Sequence, residues 1–204
     1  MPGNEVLADA MARTLGAEIG RLVIRHFPDG ESYVRFETAL TDRSVALICT
    51  LANPDSKLAP LLFAAAAAVD LGARHVGLVA PYLAYMRQDR RFQAGEAITS
   101  NAFANILSNH FDWLVTVDPH LHRHGALSEI FSIPTRVMHA ADAISRWIRN
   151  EIKKPLLIGP DAESEQWVAA VARDAEAPYL TLQKLRHGDA DVEVSVPNVT
   201  SWRG

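Results

Sequence analysis

Residues 81–124 read PYLAYMRQDRRFQAGEAITSNAFANILSNHFDWLVTVDPHLHRH. The stretch follows an apolar run, HVGLVA (75–80), and contains a second one, DWLVTVD (112–118). Short apolar runs of this kind are typical of strands that are covered on both faces of a parallel sheet. The segment SNAFANILSNH (100–110) between them has the composition of a helix. A strand, a helix and a strand at this spacing predict a right-handed crossover and a parallel α/β sheet.

The residues ahead of this stretch extend the same pattern. The predicted elements are a helix (5–16), a hairpin (21–27 and 31–37), a strand (44–50) and a helix (58–72). The hairpin turns at Pro28-Asp29-Gly30, where proline presets φ and glycine accepts a positive φ. Thr99 or Ser100 is the predicted N-cap of the helix at residues 100–110.

The pattern starts again near residue 132, which indicates a second unit. Its predicted elements are a helix (138–150), a strand (155–159), a helix (163–175) and a strand (178–182). We therefore predict an α/β fold of parallel sheets flanked by helices, with one unit at residues 1–134 and another at residues 135–204. The second unit has too few strands for a complete domain of this type.

Composition restricts the classes of partner. The chain has 204 residues, 49% of them hydrophobic and 22% charged, with a net charge of -4. This balance is typical of a soluble globular protein and argues against nucleic acid or a membrane as a partner. The single cysteine, Cys49, lies in the apolar run VALICT and is predicted to be a buried thiol. No apolar segment reaches the ~18 residues of a membrane span, so we expect a cytoplasmic protein.

Basic residues follow the first apolar strand of the opening stretch. Arg87, Arg90 and Arg91 lie within five positions, and Gln88 stands among them. Arginine presents forked donors that suit phosphate oxygens, and an amide can bind the edge of a purine. The alternative is a solvated basic loop, which the composition alone favours equally. A position directly after a buried strand favours anion binding, because ligands bind at the carboxyl ends of parallel strands.

Histidines follow the second apolar strand. His120 comes directly after Asp118-Pro119, and His122 and His124 stand beyond it. Three imidazoles at this spacing are compatible with a zinc site, although such a site needs a further ligand and supporting hydrogen bonds. The other interpretation is one functional histidine, His120, near phosphates and magnesium. The neighbouring arginines favour this second interpretation.

Two further candidates lie in the second unit. Asp161 follows the strand PLLIG, where a carboxylate can hold magnesium or a sugar hydroxyl, or simply cap the next helix. Lys184 and Arg186 stand in a predicted polar loop (184–191). Such a loop serves either as a lid over a ligand or as an exposed basic segment.

Taken together, these segments resemble the ribose-phosphate pyrophosphokinase family. The matching motifs occur in family order and cover most of the chain: Phe27-Pro28-Asp29-Gly30-Glu31, Pro81-Tyr82 with Tyr85, Arg87-Gln88-Asp89-Arg90, Gly95-Glu96-Ala97-Ile98, Asp118-Pro119-His120, Gly159-Pro160-Asp161 and Lys184-Leu185-Arg186. The resemblance implies two tandem domains of phosphoribosyltransferase type and a homo-oligomer. It also implies magnesium-dependent transfer of the diphosphoryl group of ATP to the C1 hydroxyl of ribose 5-phosphate, with release of AMP.

The resemblance also implies a role for each matching residue. ATP binding falls to Phe27, Asp29, Glu31, Arg87, Gln88, Asp89 and Arg90, with the hairpin residues contacting adenine and ribose. His120 is assigned to the phosphates and to magnesium, and Asp161 to magnesium and ribose 5-phosphate. Lys184 and Arg186 are assigned as cations of a mobile catalytic loop.

Two departures from the family pattern keep alternatives open. Glu163 and Glu165 follow the third strand end, where the family has small residues, and no Asp-Asp…Thr-Gly segment for the 5-phosphate of ribose occurs in the 204 residues. The chain is therefore expected to be a fragment of the enzyme that is nearly inactive by itself. The alternatives are a non-catalytic regulatory or assembly relative, and a metal-dependent hydrolase built on His120, His122 and His124.

Overall fold

The computed structural model describes residues 1–186 and 192–194. The chain divides into two units, Met1–Met138 and His139–Gly204. The first unit ends later than the predicted boundary at residue 134, because residues 135–138 form a strand that pairs with the sheet of the first unit. Within the described residues, no helix has both the length and the apolar character that crossing a bilayer requires.

The described residues of the first unit form three α-helices and six strands. They are α1 (Glu5–Leu15), β1 (Leu22–His26), β2 (Ser32–Phe36), β3 (Ser44–Ile48), α2 (Asp55–Asp70), β4 (His75–Ala80), α3 (Thr99–Ser108), β5 (Trp113–Val117) and β6 (Thr135–Met138). Strands β3, β4, β5 and β6 form one parallel sheet in that order. Strands β1 and β2 form the predicted antiparallel hairpin, which is a separate sheet. The predicted α/β architecture is confirmed.

The core of the first unit explains why the central strands are so apolar. Leu47, Leu78 and Leu114 lie side by side on β3, β4 and β5 and are almost completely buried. The alanine-rich side of α2 and the apolar side of α3 belong to the same core, which includes Ala64 and Phe103. A strand in the middle of a parallel sheet is covered on both faces, so its residues are mainly apolar until the strand ends.

One predicted helix cap is wrong. Helix α3 begins at Thr99 after Ile98, and neither Thr99 nor Ser100 caps it with a side chain. The Thr99 hydroxyl instead donates to the Tyr85 carbonyl oxygen at 3.4 Å, so it ties the basic loop to the helix. Ser100 is completely buried in the first turn.

The second unit contains α4 (Ala141–Glu151), β7 (Leu157–Gly159), α5 (Glu165–Ala175), β8 (Tyr179–Thr181), β9 (Lys184–Arg186) and β10 (Val192–Val194). Strands β7 and β8 are parallel, and β9 pairs with β10 in an antiparallel arrangement. The prediction of a loop at residues 184–186 is therefore wrong, because the alternating segment at 192–194 offers those residues a strand partner. Residues 187–191 of the predicted loop lie outside the described residues.

Replacing Gly77 by alanine is expected to destabilise the first unit. A Cβ atom on Gly77 would overlap the indole ring of Trp113, which lies opposite on β5. Overpacking of this kind costs about 1–3 kcal/mol in the free energy of unfolding. Urea denaturation of Gly77→Ala measures the loss. Gly20→Ala is the matched control, since an added Cβ there meets open space; equal stability of the two variants would contradict the packing account.

Candidate functional site

The loop after β4 combines buried apolar residues with exposed arginines. Leu83, Ala84 and Met86 are buried in the core, whereas Arg87 and Arg90 are exposed. The apolar residues hold the backbone on the sheet, and the arginines project where water or a ligand can reach them. The loop therefore combines a fixed backbone with accessible cations, which is the arrangement that anion binding requires.

An ion pair connects this loop to the one that follows β5. Nη1 of Arg123 lies 2.8 Å from Oδ1 and 3.1 Å from Oδ2 of Asp89. The side chain of Asp89 is only 1% exposed, and that of Arg123 is 36% exposed. A carboxylate withdrawn from water in this way is strongly unfavourable unless a cation and hydrogen bonds compensate it. Asp89 therefore serves as an internal anchor, and Arg123 is its partner.

The ring of Phe92 lies close to two arginines, Arg90 and Arg123. The guanidinium carbon of Arg90 lies 4.9 Å from the centre of the Phe92 ring, and that of Arg123 lies 5.5 Å from it. Both distances are within the range of a cation–π interaction. Phe92 is itself 54% exposed. The ring therefore holds Arg90 beside Arg123 at the surface.

Glu96 closes the far end of the basic loop. Its Oε2 accepts hydrogen bonds from the backbone N–H of Phe92 (2.7 Å) and of Gln93 (3.0 Å). Nε of Arg91 donates to the Glu96 carbonyl oxygen at 2.9 Å. Arg91 is thus partly engaged within the loop. The Gln88 carbonyl oxygen accepts from the Ser100 N–H at 3.3 Å, which ties the loop to α3.

Tyr85 fixes the start of the loop in an unusual backbone conformation. Its φ is 61°, in the left-handed region that non-glycine residues seldom adopt. The ring packs against Phe103 with the ring centres 4.8 Å apart, and the hydroxyl donates to Asp55. That hydrogen bond, and secondarily burial, raises the pKa of Tyr85. Helices α2 and α3 therefore both hold the turn that leads to Arg87.

The histidines after β5 do not converge on one point. His120 and His122 stack with ring centres 5.9 Å apart and planes 19° from parallel. His124 points elsewhere, with Nδ1 3.5 Å from Oε2 of Glu129. Among the residues that the structure describes, no group of three or more His, Cys, Asp or Glu is placed to hold a metal ion. The three-imidazole site that a metal-dependent hydrolase would need is not formed.

The hairpin tip forms its own small cluster. Arg25 lies over the rings of Phe27 (4.7 Å) and Tyr33 (4.0 Å). Oδ1 of Asp29 accepts from the Glu31 N–H at 3.1 Å, across the turn that Gly30 makes with a φ of 93°. Phe27 is 41% exposed. This tip belongs to the separate β1–β2 sheet, not to the edge that carries Arg87 and His120, and its contact with adenine stays a prediction.

In the second unit, Asp161 acts as a cap. Its Oδ1 accepts from the Ser164 N–H at 2.9 Å, and the Ser164 hydroxyl donates to the Asp161 carbonyl oxygen at 2.6 Å. Asp161 therefore caps the short 3-10 helix Ala162–Ser164 that precedes α5, not α5 itself, and its role toward magnesium stays a prediction. Lys184 and Arg186 lie on β9, but their side chains, like that of Glu163, are outside the described part of the structure.

Sequence reasoning missed Arg123 and Phe92. Both stand among residues that were singled out, Arg123 between His122 and His124 and Phe92 directly after Arg91. A usable signal existed for Arg123. An acidic residue after one strand and a basic residue after the neighbouring strand reach the same edge of a parallel sheet, where they can pair.

A four-stranded parallel sheet whose carboxyl edge presents arginines and a histidine places the chain in the α/β class of proteins. A family model described as the N-terminal domain of ribose phosphate pyrophosphokinase matches residues 1–110. The chain belongs to the ribose-phosphate pyrophosphokinase family.

Individual relatives agree with this assignment. The chain is 34% identical over 180 residues to a ribose-phosphate pyrophosphokinase of Saccharolobus solfataricus, covering 87% of this chain and 61% of the relative. It is 33% identical over 200 residues to that of Methanobrevibacter smithii, covering 96% and 65%. The chain thus spans less than two thirds of the length of these curated relatives.

A solved structure supports the fold. The crystal structure of phosphoribosylpyrophosphate synthetase from Mycobacterium smegmatis superposes with a TM-score of 0.76 at 22% identity, covering 94% of this chain and 64% of that one. At this level of identity the similarity establishes the architecture only.

Removing the Tyr85 hydroxyl is expected to change how stability depends on pH. Because the pKa of Tyr85 is raised in the folded chain, its hydrogen bond contributes stability that is complete below the unfolded pKa and is lost as the pH rises through the folded pKa. Urea denaturation between about pH 8 and pH 11 should show that the free energy of unfolding falls more steeply with rising pH in the unmodified chain than in Tyr85→Phe. Asp55→Asn should behave like Tyr85→Phe. If the free energy of unfolding still falls steeply in both variants, the pH dependence does not come from the hydrogen bond between Tyr85 and Asp55.

Proposed function

We propose that the chain supplies the ATP-binding half of a ribose-phosphate diphosphokinase. The reaction moves the β,γ-diphosphoryl group of ATP to ribose 5-phosphate, giving phosphoribosyl pyrophosphate and AMP. The observation that carries the proposal is the carboxyl edge of the first sheet. There the exposed Arg87 and Arg90 are attached to a backbone that Met86 and the Asp89–Arg123 pair hold in place.

The chemistry suits such an edge. The C1 hydroxyl oxygen of ribose 5-phosphate attacks the β-phosphorus, the bond to the oxygen between the α- and β-phosphorus atoms breaks, and AMP leaves. The demand on the protein is positioning of the phosphates and stabilisation of their charge. Arginine forks meet that demand, and no covalent nucleophile is needed. Cys49, which is buried and whose pKa burial raises, is unsuited to nucleophilic attack.

We propose that magnesium binds as a complex with the nucleotide. Mg²⁺ keeps several waters and is often held by substrate phosphates plus one or two protein groups. His120 in the first unit and Asp161 in the second are the groups that the family resemblance assigns to the metal. The bound ion would neutralise charge on the transferred diphosphoryl group.

The remaining parts of the proposal concern the whole protein. We propose a cytoplasmic homo-oligomer that binds ATP and ribose 5-phosphate, without nucleic acid or membrane as a partner. The net charge of -4 supports the last point, because binding to a polyanion is driven by clustered positive charge.

Nucleotide binding by the purified chain tests the proposal. Calorimetric titration with ATP and MgCl₂ should show one site. Arg87→Ala and His120→Ala should each weaken it by about tenfold, the usual effect of losing one hydrogen bond to a charged group. Arg43→Ala is the matched control, because Arg43 pairs with Glu18 at the surface and lies outside the edge.

Release of AMP from ATP and ribose 5-phosphate provides a separate measurement. The 204-residue chain should turn over far more slowly than a full-length relative, since the family's Asp-Asp…Thr-Gly segment for the 5-phosphate of ribose does not occur in it. No binding of MgATP would contradict the proposal. Binding without turnover, even after addition of the rest of a relative's second domain, would favour a non-catalytic relative.

A further inference from the structure

We propose that Arg123 is a positioning residue of the nucleotide site, which acts through Asp89 to set where Arg87 and Arg90 present their guanidinium groups. The inference rests on the proposed function, because MgATP is the ligand for which these groups would be positioned. Arg123 is not among the residues that the family motifs single out in this sequence. It does not need to touch the nucleotide.

The first argument is the path of the chain. Asp89 and Arg123 are 34 positions apart, one in the loop after β4 and the other in the loop after β5. These strands are neighbours in the sheet, so both loops start at the same edge. The ion pair is a direct side-chain connection between them. A shift of the Arg123 loop would therefore move the backbone that lies between Arg87 and Arg90.

The second argument is the burial pattern around Asp89. Its side chain is 1% exposed, and that of Met86 is buried as well, whereas Arg87 and Arg90 are exposed. The loop therefore has one apolar anchor and one ionic anchor, with the cations on its outer side. Without its partner, Asp89 would be an unpaired buried charge, which is strongly unfavourable, so its present position depends on Arg123.

The third argument concerns charge. Asp89 has arginines on both sides in the sequence, and a carboxylate that turned outward would pair with Arg87 or Arg90. Such a pair would neutralise the cations that a polyanion needs. In the structure the negative charge is satisfied by Arg123, from another loop. Arg123 thus leaves the positive charge of the basic loop available to a ligand.

The fourth argument is the contact with Phe92. Arg123 and Arg90 lie 5.5 Å and 4.9 Å from the centre of the same ring. Arg123 is therefore connected to Arg90 by packing as well as to Asp89 by an ion pair. A methionine at position 123 keeps an apolar stem but loses the charge, whereas a lysine keeps the charge and loses the planar group.

Binding of MgATP to Arg123→Met and Arg123→Lys, measured by calorimetry, tests the inference. We expect Arg123→Met to weaken binding by about tenfold, because Asp89 would no longer hold the loop in place and an arginine contact with the nucleotide would be lost. Arg123→Lys should recover most of that loss. The matched control is Arg43→Met, in which the exposed pair with Glu18 is broken; it should bind like the unmodified chain.

A double-mutant cycle separates positioning from general stability. If Arg123 acts through the placement of Arg87, the loss caused by Arg123→Met should shrink to about twofold in an Arg87→Ala background, since coupled residues are not additive. Additive losses, or an unchanged affinity of Arg123→Met, would overturn the inference. If Arg123→Met fails to fold, Arg123→Lys replaces it in the double-mutant cycle. The loss of MgATP affinity is then smaller, and it must also be non-additive with that of Arg87→Ala.

Hydrogen exchange without nucleotide distinguishes failure of the proposed function from failure of the inference about Arg123. Arg123→Met should accelerate exchange in residues 81–98 and 119–125 together, and Arg43→Met should not. A chain that binds no MgATP overturns the proposed function, and the positioning role with it. The other outcome is that the unmodified chain binds MgATP and that Arg123→Met changes neither the affinity for MgATP nor the rate of hydrogen exchange. This result would overturn only the inference about Arg123.

Discussion

The ion pair between Asp89 and Arg123 is the interaction on which the arrangement of the candidate site depends. The parallel pairing of β4 and β5 brings two loops to one edge, but pairing of strands fixes only where the loops begin. A carboxylate that is 1% exposed, bound by a guanidinium from the other loop, fixes how they continue. The loss on removing Arg123 should be smaller than the ~3–5 kcal/mol of a fully buried pair, because its guanidinium is 36% exposed, but Asp89 would still be left as an unpaired buried carboxylate.

Most of the fold was predictable because its signals are local. Strand β4 is an uninterrupted apolar run, the hairpin carries a Pro-Asp-Gly turn, and α1 ends at Gly16 with a φ of 63°. Each pattern has one common structural solution. The cap of α3 and the strand at 184–186 were not predictable in this way, because a tertiary contact decides the first and pairing with β10 decides the second.

The candidate site was predictable only in part, for the same reason. Arg87 and His120 follow apolar strands, so their position at the sheet edge follows from the topology. The role of Asp89 does not, because its sequence neighbours suggest an exposed ligand contact whereas its partner is 34 positions away. Asp161 illustrates the opposite case: its hydrogen bonds are made within three residues, and a cap was already one of the two interpretations.

A crystal structure of the chain with magnesium and a non-hydrolysable ATP analogue tests the central claim most directly. The account predicts that the triphosphate lies against Arg87 and His120 at the carboxyl edge of β4 and β5, and that the Asp89–Arg123 pair remains intact beneath it. A triphosphate bound elsewhere on the chain, or one bound at this edge with Asp89 turned outward and separated from Arg123, would contradict the account.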